Sequence, residues 1–329
     1  MWSCAGDARM PDRPAVPRRP TPSSRPEVPD RLVVPDPPAP QSAAGSLRPT
    51  AGSNVEQFSV VHALMAGLYD GVTTIAEVLQ AGDFGVGCGH ALNGELVFID
   101  GQVYRCTSDG SVSRVEVAPR ESVGVLDDSA QPFPQHSAAA QPSGALATAR
   151  PDSAQLVPFA EVVKFTPTFS LAPDSPHDRT SLEELILSIL PSMNSFYAIR
   201  VDGRFESVLV REPVRQHHPF RPLREVMAAQ NENEIANTTG SLIGFWAPQI
   251  FQGISVAGFH LHYLDDERAV GGHSLNYRML GGTLSIQALS GITVHLPDTP
   301  AYNTAELAEP NSDADIRRVE SQTTGGPAS

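Results

Sequence analysis

Cysteine is scarce in this chain. Only Cys4, Cys88 and Cys106 occur among 329 residues, too few and too odd in number for a disulfide framework, which suits a reducing compartment. Long apolar runs are missing as well: nothing approaches the ~18 residues that a membrane span needs. The opening MWSCAGDARMPDRP lacks the charged start and apolar middle of a secretory signal. These absences lead us to expect a soluble, cytoplasmic protein with no membrane partner. Basic side chains are outnumbered, 23 Lys and Arg against 37 Asp and Glu, for a net charge of −14. Nucleic-acid binding needs a basic face, so that class is set aside. Seven of the arginines lie in residues 1–50 against five acids, leaving the body of the chain at about −16.

Composition divides the chain. Residues 1–52 hold twelve of the 30 prolines and almost no apolar periodicity, so they cannot bury enough surface to offset ordering entropy; disorder is expected. A second Ala/Pro/Ser/Gln-rich stretch at 116–154 reads as a disordered insertion. Between and after them we expect one catalytic domain over 53–320 and a disordered tail at 321–329. Alternation in EQFSVVHAL predicts a strand. Thr74 and Glu77 make a capping box opening a short helix through Leu79, ended by Gly82. Asn93–Gly94 and Asp100–Gly101 mark hairpin turns, and Pro158–Phe165 reads as a further strand. A helix is expected over Ser181–Leu190, capped by Ser181 with Glu184 and stopped by Pro191. Residues 195–215 read as two strands joined at Asp202–Gly203, followed by a polar connector, a strand in GSLIGFWAPQIFQG and a strand or helix over Thr283–Val294. The fold class expected is α+β: two mixed-sheet subdomains, a few helices, and a site between them.

The densest chemistry lies in Gly258–His273, GFHLHYLDDERAVGGH, with three of the ten histidines. Strand alternation places His260 and His262 on one face, opposite Phe259, Leu261 and Tyr263. A turn centred between Asp266 and Glu267 sets His260 directly across from His273, so one hairpin brings three imidazoles together. Three protein ligands with one open position is the pattern of a catalytic zinc site, with cobalt, iron or manganese also chemically suitable. The rival reading is a pair of surface or core histidines beside a chance third. Glu267 completes an H-x-H-x4-E pattern like the first motif of the cupins, although the hairpin puts it in the turn.

Other candidates are weaker on pattern alone. Glu95 begins a strand with apolar neighbours, where desolvation could raise its pKa as proton transfer requires; an exposed hairpin end is the plainer reading. Arg211 follows FESVLV, where a guanidinium could hold a carboxylate bidentately, yet by itself it stands out no more than Arg204, Arg215 or Arg221. His217 and His218 read as solvated, His62 and His295 as structural.

NGELVFIDGQVY, PFAEVVKF, NSFYAIRVDGRF, GSLIGFWAPQIFQGISVAGFHLHYLDDERAVGGHSLNY and the closing VE, in that order, resemble the α-acetolactate decarboxylases over about residues 55–320, apart from the 116–154 insertion. That resemblance implies decarboxylation of the small molecule 2-acetolactate (2-hydroxy-2-methyl-3-oxobutanoate) to acetoin, with Zn2+ as cofactor and a homodimer allowed. It implies zinc on His260, His262 and His273, and catalytic roles for Glu95, Arg211 and a glutamate near the C-terminus. Glu320 matches that last residue best, with Glu306 the weaker candidate. Gly87-Cys88-Gly89 departs from the family's Gly-Thr-Phe, whose threonine shapes the pocket. A cupin-like oxygenase and a non-catalytic structural zinc protein are the competing classes.

Overall fold

A computed structural model describes residues 44–117, 153–307 and 312–321. Two seven-stranded sheets dominate it. The first is antiparallel and is built on three unusually long strands, Tyr197–Glu212, Asn231–Ala247 and Gly271–Ala288. The shorter Gly258–Asp265 strand pairs with Asn231–Ala247 on one side and with the beginning of Gly271–Ala288 on the other. These four strands therefore close into a ring, which removes the free edges at which sheets tend to associate. The second sheet runs Gly291–His295, Asn54–Phe58, Phe159–Val163, Phe84–Cys88, Glu95–Ile99, Gln102–Cys106, Val112–Arg114. Its parallel first pair makes it mixed. With few helices, the chain is α+β.

Alternation along the strands of the first sheet feeds two cores. Ile199, Val201, Leu261 and Tyr263 point to one side, where the helix Arg179–Ile189 covers them with Leu182 and Ile186. Burying each of those two helix side chains fully is worth about 2 kcal/mol. Ala198, Ile243, Phe245 and Leu264 point the other way and meet Phe84, Val86, Val97 and Ile99 of the second sheet. The histidine-bearing face of Gly258–Asp265 is thus buried between the sheets. Gly244 permits close approach here: its φ is +158°, and a Cβ would collide with the His260 carbonyl oxygen.

Several local expectations change. Residues 195–215 are not two strands: Tyr197–Glu212 runs straight through Asp202–Gly203, because long partners on both sides supply its ladder bonds and Asp202 is tied to Arg200 and Ser241. The polar connector is the first half of Asn231–Ala247. HAL, expected as strand, lies in a short helix, Val61–Met65. Helix Arg179–Ile189 starts before Ser181, since Asp178 is the cap and accepts from the Ser181 amide at 2.9 Å. Asp100–Gly101 does turn a two-residue hairpin, whereas Asn93–Gly94 ends a longer loop containing a 3-10 turn at His90–Leu92. The Thr74–Glu77 capping box is present. Order reaches further toward the N-terminus than the 1–52 boundary: Ala44–Gly45 pairs with Phe169–Leu171 and Leu47 packs on the core. The rest of the 1–52 expectation, residues 118–152 of the insertion and residues 322–329 of the tail lie outside the described residues. No helix among the described residues is long and apolar enough to cross a membrane.

Candidate metal centre

His260, His262 and His273 converge. Their ring centroids form a near-equilateral triangle with sides of 5.3, 5.2 and 5.3 Å. One nitrogen from each lies within 4.8 Å of the others, and all three residues are buried. The hairpin register differs from the expected one by two positions: His273 faces His262, and His260 lies two residues further along its strand. The turn is wider than a centre at Asp266–Glu267 allows. Asp265 pairs backbone-to-backbone with Val270, its Oδ1 accepts from the amides of Ala269 and Val270, and Arg268 takes φ +58°. An even shift leaves side chains on their face, so the convergence survives the correction. Glu267 is exposed in the turn, apart from the histidines.

Strand register assembles the rest. In the first sheet Arg211 pairs with His273, which pairs with His262, so three site residues form one transverse row. In the second, Cys106, Glu95, Cys88 and Phe159 form another. Glu95 Oε2 lies 3.8 Å from His262 Nε2. The short helix Ser312–Ser321 brings the final piece, docking through Ile316 and Val319 onto Leu64, Leu223 and Val226. Its Glu320 places Oε2 at 3.7 Å from His273 Nδ1 and 2.9 Å from Arg211 Nη2. Glu306 is exposed and lines a different cavity, so Glu320 is the C-terminal carboxylate that reaches the histidines.

The second nitrogen of each imidazole is held from behind. His262 Nδ1 bonds to the Leu96 carbonyl at 3.1 Å, and His273 Nε2 to the Glu320 carbonyl at 3.2 Å. As carbonyls only accept, these nitrogens carry the N–H, leaving lone pairs on His262 Nε2 and His273 Nδ1. His260 Nδ1 faces Glu161 Oε2 at 3.5 Å and has no closer hydrogen-bond partner among the described residues. Glu161 is the residue that sequence reasoning missed. Its one signal was an acid inside the apolar run FAEVV, all five residues of which are buried.

Electrostatics sort these groups. Burial, then the charges of neighbouring His260 and Arg211, hold His262 and His273 well below the ordinary imidazole range, in the neutral form that ligates metals. Burial pulls His260 down too, but Glu161 and the nearby carboxylates outweigh it and raise it. Burial pushes Glu95 up to about 8 against the pull of Arg211. Arg211 is more committed than expected: Nη1 donates to the Val319 carbonyl and Nη2 to Glu320, leaving only Nε without a partner among the described residues. A small cavity opens onto the cluster, lined on its far side by Val61, Leu64, Leu223, Met227 and Val256 and flanked by Cys88. Burial, and then the charges of Glu95 and Glu320, raise the Cys88 thiol well above its ordinary range.

The family model described as alpha-acetolactate decarboxylase matches residues 55–127 and 139–309. Alpha-acetolactate decarboxylase of Klebsiella aerogenes is 34% identical over 268 residues, covering 82% of this chain and 89% of that protein. The Methylococcus capsulatus counterpart is 35% identical over 266 residues, covering 81% and 88%. The crystal structure of alpha-acetolactate decarboxylase from Bacillus subtilis superposes with a TM-score of 0.70 at 31% identity, over 82% of this chain and all of that one.

Proposed function

This chain belongs to the alpha-acetolactate decarboxylase family, a family of carboxy-lyases, and we propose that it converts 2-acetolactate to acetoin and carbon dioxide with one zinc ion on His260, His262 and His273. The residues suit such an ion. Two of the three imidazoles have one nitrogen engaged by a backbone carbonyl, which fixes the tautomer and turns the other lone pair toward the shared centre. Three imidazole nitrogen donors leave a position open to substrate. When bound there, the metal supplies Lewis-acid stabilisation for negative charge on the substrate's keto and hydroxyl oxygens.

The chain's own groups do the rest. Breaking the bond to the carboxylate carbon releases carbon dioxide, and the electron pair left behind is delocalised toward the ketone oxygen as an enediolate. Arg211 lines the cavity and its guanidinium is the cation available to the carboxylate before it leaves, held in place by the Glu320 side chain and the Val319 carbonyl. Glu95 enters the cavity beside His262, where burial favours the protonated carboxyl. Its proton goes to the carbon that lost carbon dioxide, giving acetoin, and the face from which it is delivered sets the product's configuration. Glu320 sits across the centre, ion-paired to Arg211, and keeps that guanidinium in place. The apolar far wall of the cavity accommodates the two methyl groups and excludes water.

The observation that carries this reading is the buried histidine triangle with Glu95 and Glu320 on its ligating side. A coupled assay for acetoin from racemic acetolactate tests it. Activity lost on chelation and restored by zinc is the expected result. Absence of acetoin from protein reconstituted with zinc, cobalt, manganese or iron would overturn the activity, and full activity after exhaustive chelation would overturn the metal.

A further inference from the structure

We infer that Glu161 is a positioning residue for His260, held in place by Ser255 and Gln57 so as to orient one of the three metal-binding imidazoles. The inference rests on the reading that the histidines hold a metal, and extends it to the shell behind them. Glu161 sits in the middle of Phe159–Val163 at 2% exposure. A carboxyl group so deeply buried costs several kcal/mol unless it has partners, and its contacts are specific. Oε1 accepts from Ser255 Oγ at 2.6 Å, and Oε2 faces His260 Nδ1 at 3.5 Å. Ser255 is itself fully buried, and its single hydroxyl proton is shared between Glu161 Oε1 and Gln57 Oε1. The amide of Gln57, equally buried, is pinned by donating to the carbonyls of Ser59 (2.8 Å) and Ile254 (2.9 Å). A chain of contacts thus runs from fixed backbone carbonyls through three side chains to one imidazole.

Its placement separates Glu161 from the other two acids. Glu95 and Glu320 approach the nitrogens of His262 and His273 that carry lone pairs, and both line the cavity; Glu161 lies behind His260 and does not line it. With Nδ1 turned to Glu161, His260 offers Nε2 to the centre. His262 and His273 are steered by backbone carbonyls, which no substitution at those carbonyl positions removes; His260 is the one ligand steered by a side chain.

The test is the affinity of the whole chain for zinc and cobalt, by competition with a chromophoric chelator, together with the visible cobalt spectrum. Glu161→Leu keeps the volume and removes the acceptor. We expect it to weaken metal binding about 10–100-fold and to shift the cobalt bands, with circular dichroism of the metal-free protein unchanged. Glu161→Gln keeps an acceptor for the imidazole N–H and is expected to stay within about threefold of the parent. Parent-like affinity and spectrum in Glu161→Leu would overturn the inference. Should that variant not fold, Ser255→Ala carries the same question: a loss of about 3–10-fold is expected, and no loss overturns it. Failure of the parent chain to take up either metal would instead remove the metal reading itself, a different result from parent-like binding by the variants.

Discussion

Arg211 and Glu320, 109 residues apart in the chain, meet at 2.9 Å between Nη2 and Oε2, with the two side chains only 3% and 10% exposed. Replacing Arg211 by Met leaves the Glu320 carboxylate beside Glu95 with no countercharge. Breaking such a buried pair costs about 3–5 kcal/mol. The expected outcome is a lower denaturant midpoint and faster amide exchange across Ser312–Ser321. Unchanged exchange would mean that Ile316 and Val319 hold that helix without the ion pair.

Glu95→Gln keeps the shape of the group and removes its proton. Loss of a positioned acid costs about 10^2–10^4-fold in rate. We expect kcat to fall by that range while zinc content, measured by atomic absorption, stays at the parent level. Near-parent turnover in zinc-loaded Glu95→Gln would assign the proton transfer to another group.

Removing the metal separates a catalytic from a structural role. The two sheets meet through an apolar cluster that includes Phe84, Val86, Val97, Phe245 and Leu264, so chelation should abolish turnover and lower Tm by a few degrees through lost binding energy alone. Circular dichroism at 25 °C should be unchanged. Cooperative unfolding on chelation is the signature of a structural zinc protein and would contradict the assignment.

Glu212 gives a pH-dependent contribution to stability. It is buried, its Oε1 has no hydrogen-bond partner among the described residues, and burial followed by the charge of Asp109 raises it from 4.5 to about 7. A carboxyl raised on folding binds its proton more tightly in the folded state. Stability is therefore greatest below the unfolded value and is lost as pH rises from about 4.5 to about 7. Glu212→Gln should abolish that loss, gaining on the order of 2 kcal/mol over the parent at pH 8 relative to pH 5. Urea unfolding at the two pH values measures it; equal differences at both would show that Glu212 ionises freely.

The histidine convergence was legible because alternation fixes faces and a hairpin fixes neighbours, and neither depends on the rest of the chain. Its register was not: Asp265 reaches over four residues to the amides of Ala269 and Val270, and that widening has no marker in composition. The break expected at Asp202–Gly203 failed for a related reason. A turn dipeptide states a local preference, and strands pairing on both sides of Tyr197–Glu212 override it. Glu95, Arg211 and Glu320 were undistinguished until family motifs singled them out, since their meeting depends on packing two sheets and a helix. Glu161 escaped even the motifs, being part of PFAEVVKF without any local sign of which imidazole it would face.

His273 lies where two ladders cross, paired to Arg211 on one side and His262 on the other. A slip of one residue in either ladder turns an imidazole to the opposite face, and a slip of two keeps the face but moves one ligand about 7 Å along the strand. Only pairings that keep these faces bring the three imidazoles together, and only the native Arg211–His273 pairing sets the guanidinium beside them. Metal uptake is therefore a check on strand alignment: an ion captured at this point selects molecules with these faces aligned over any that closed the ring with one turned away.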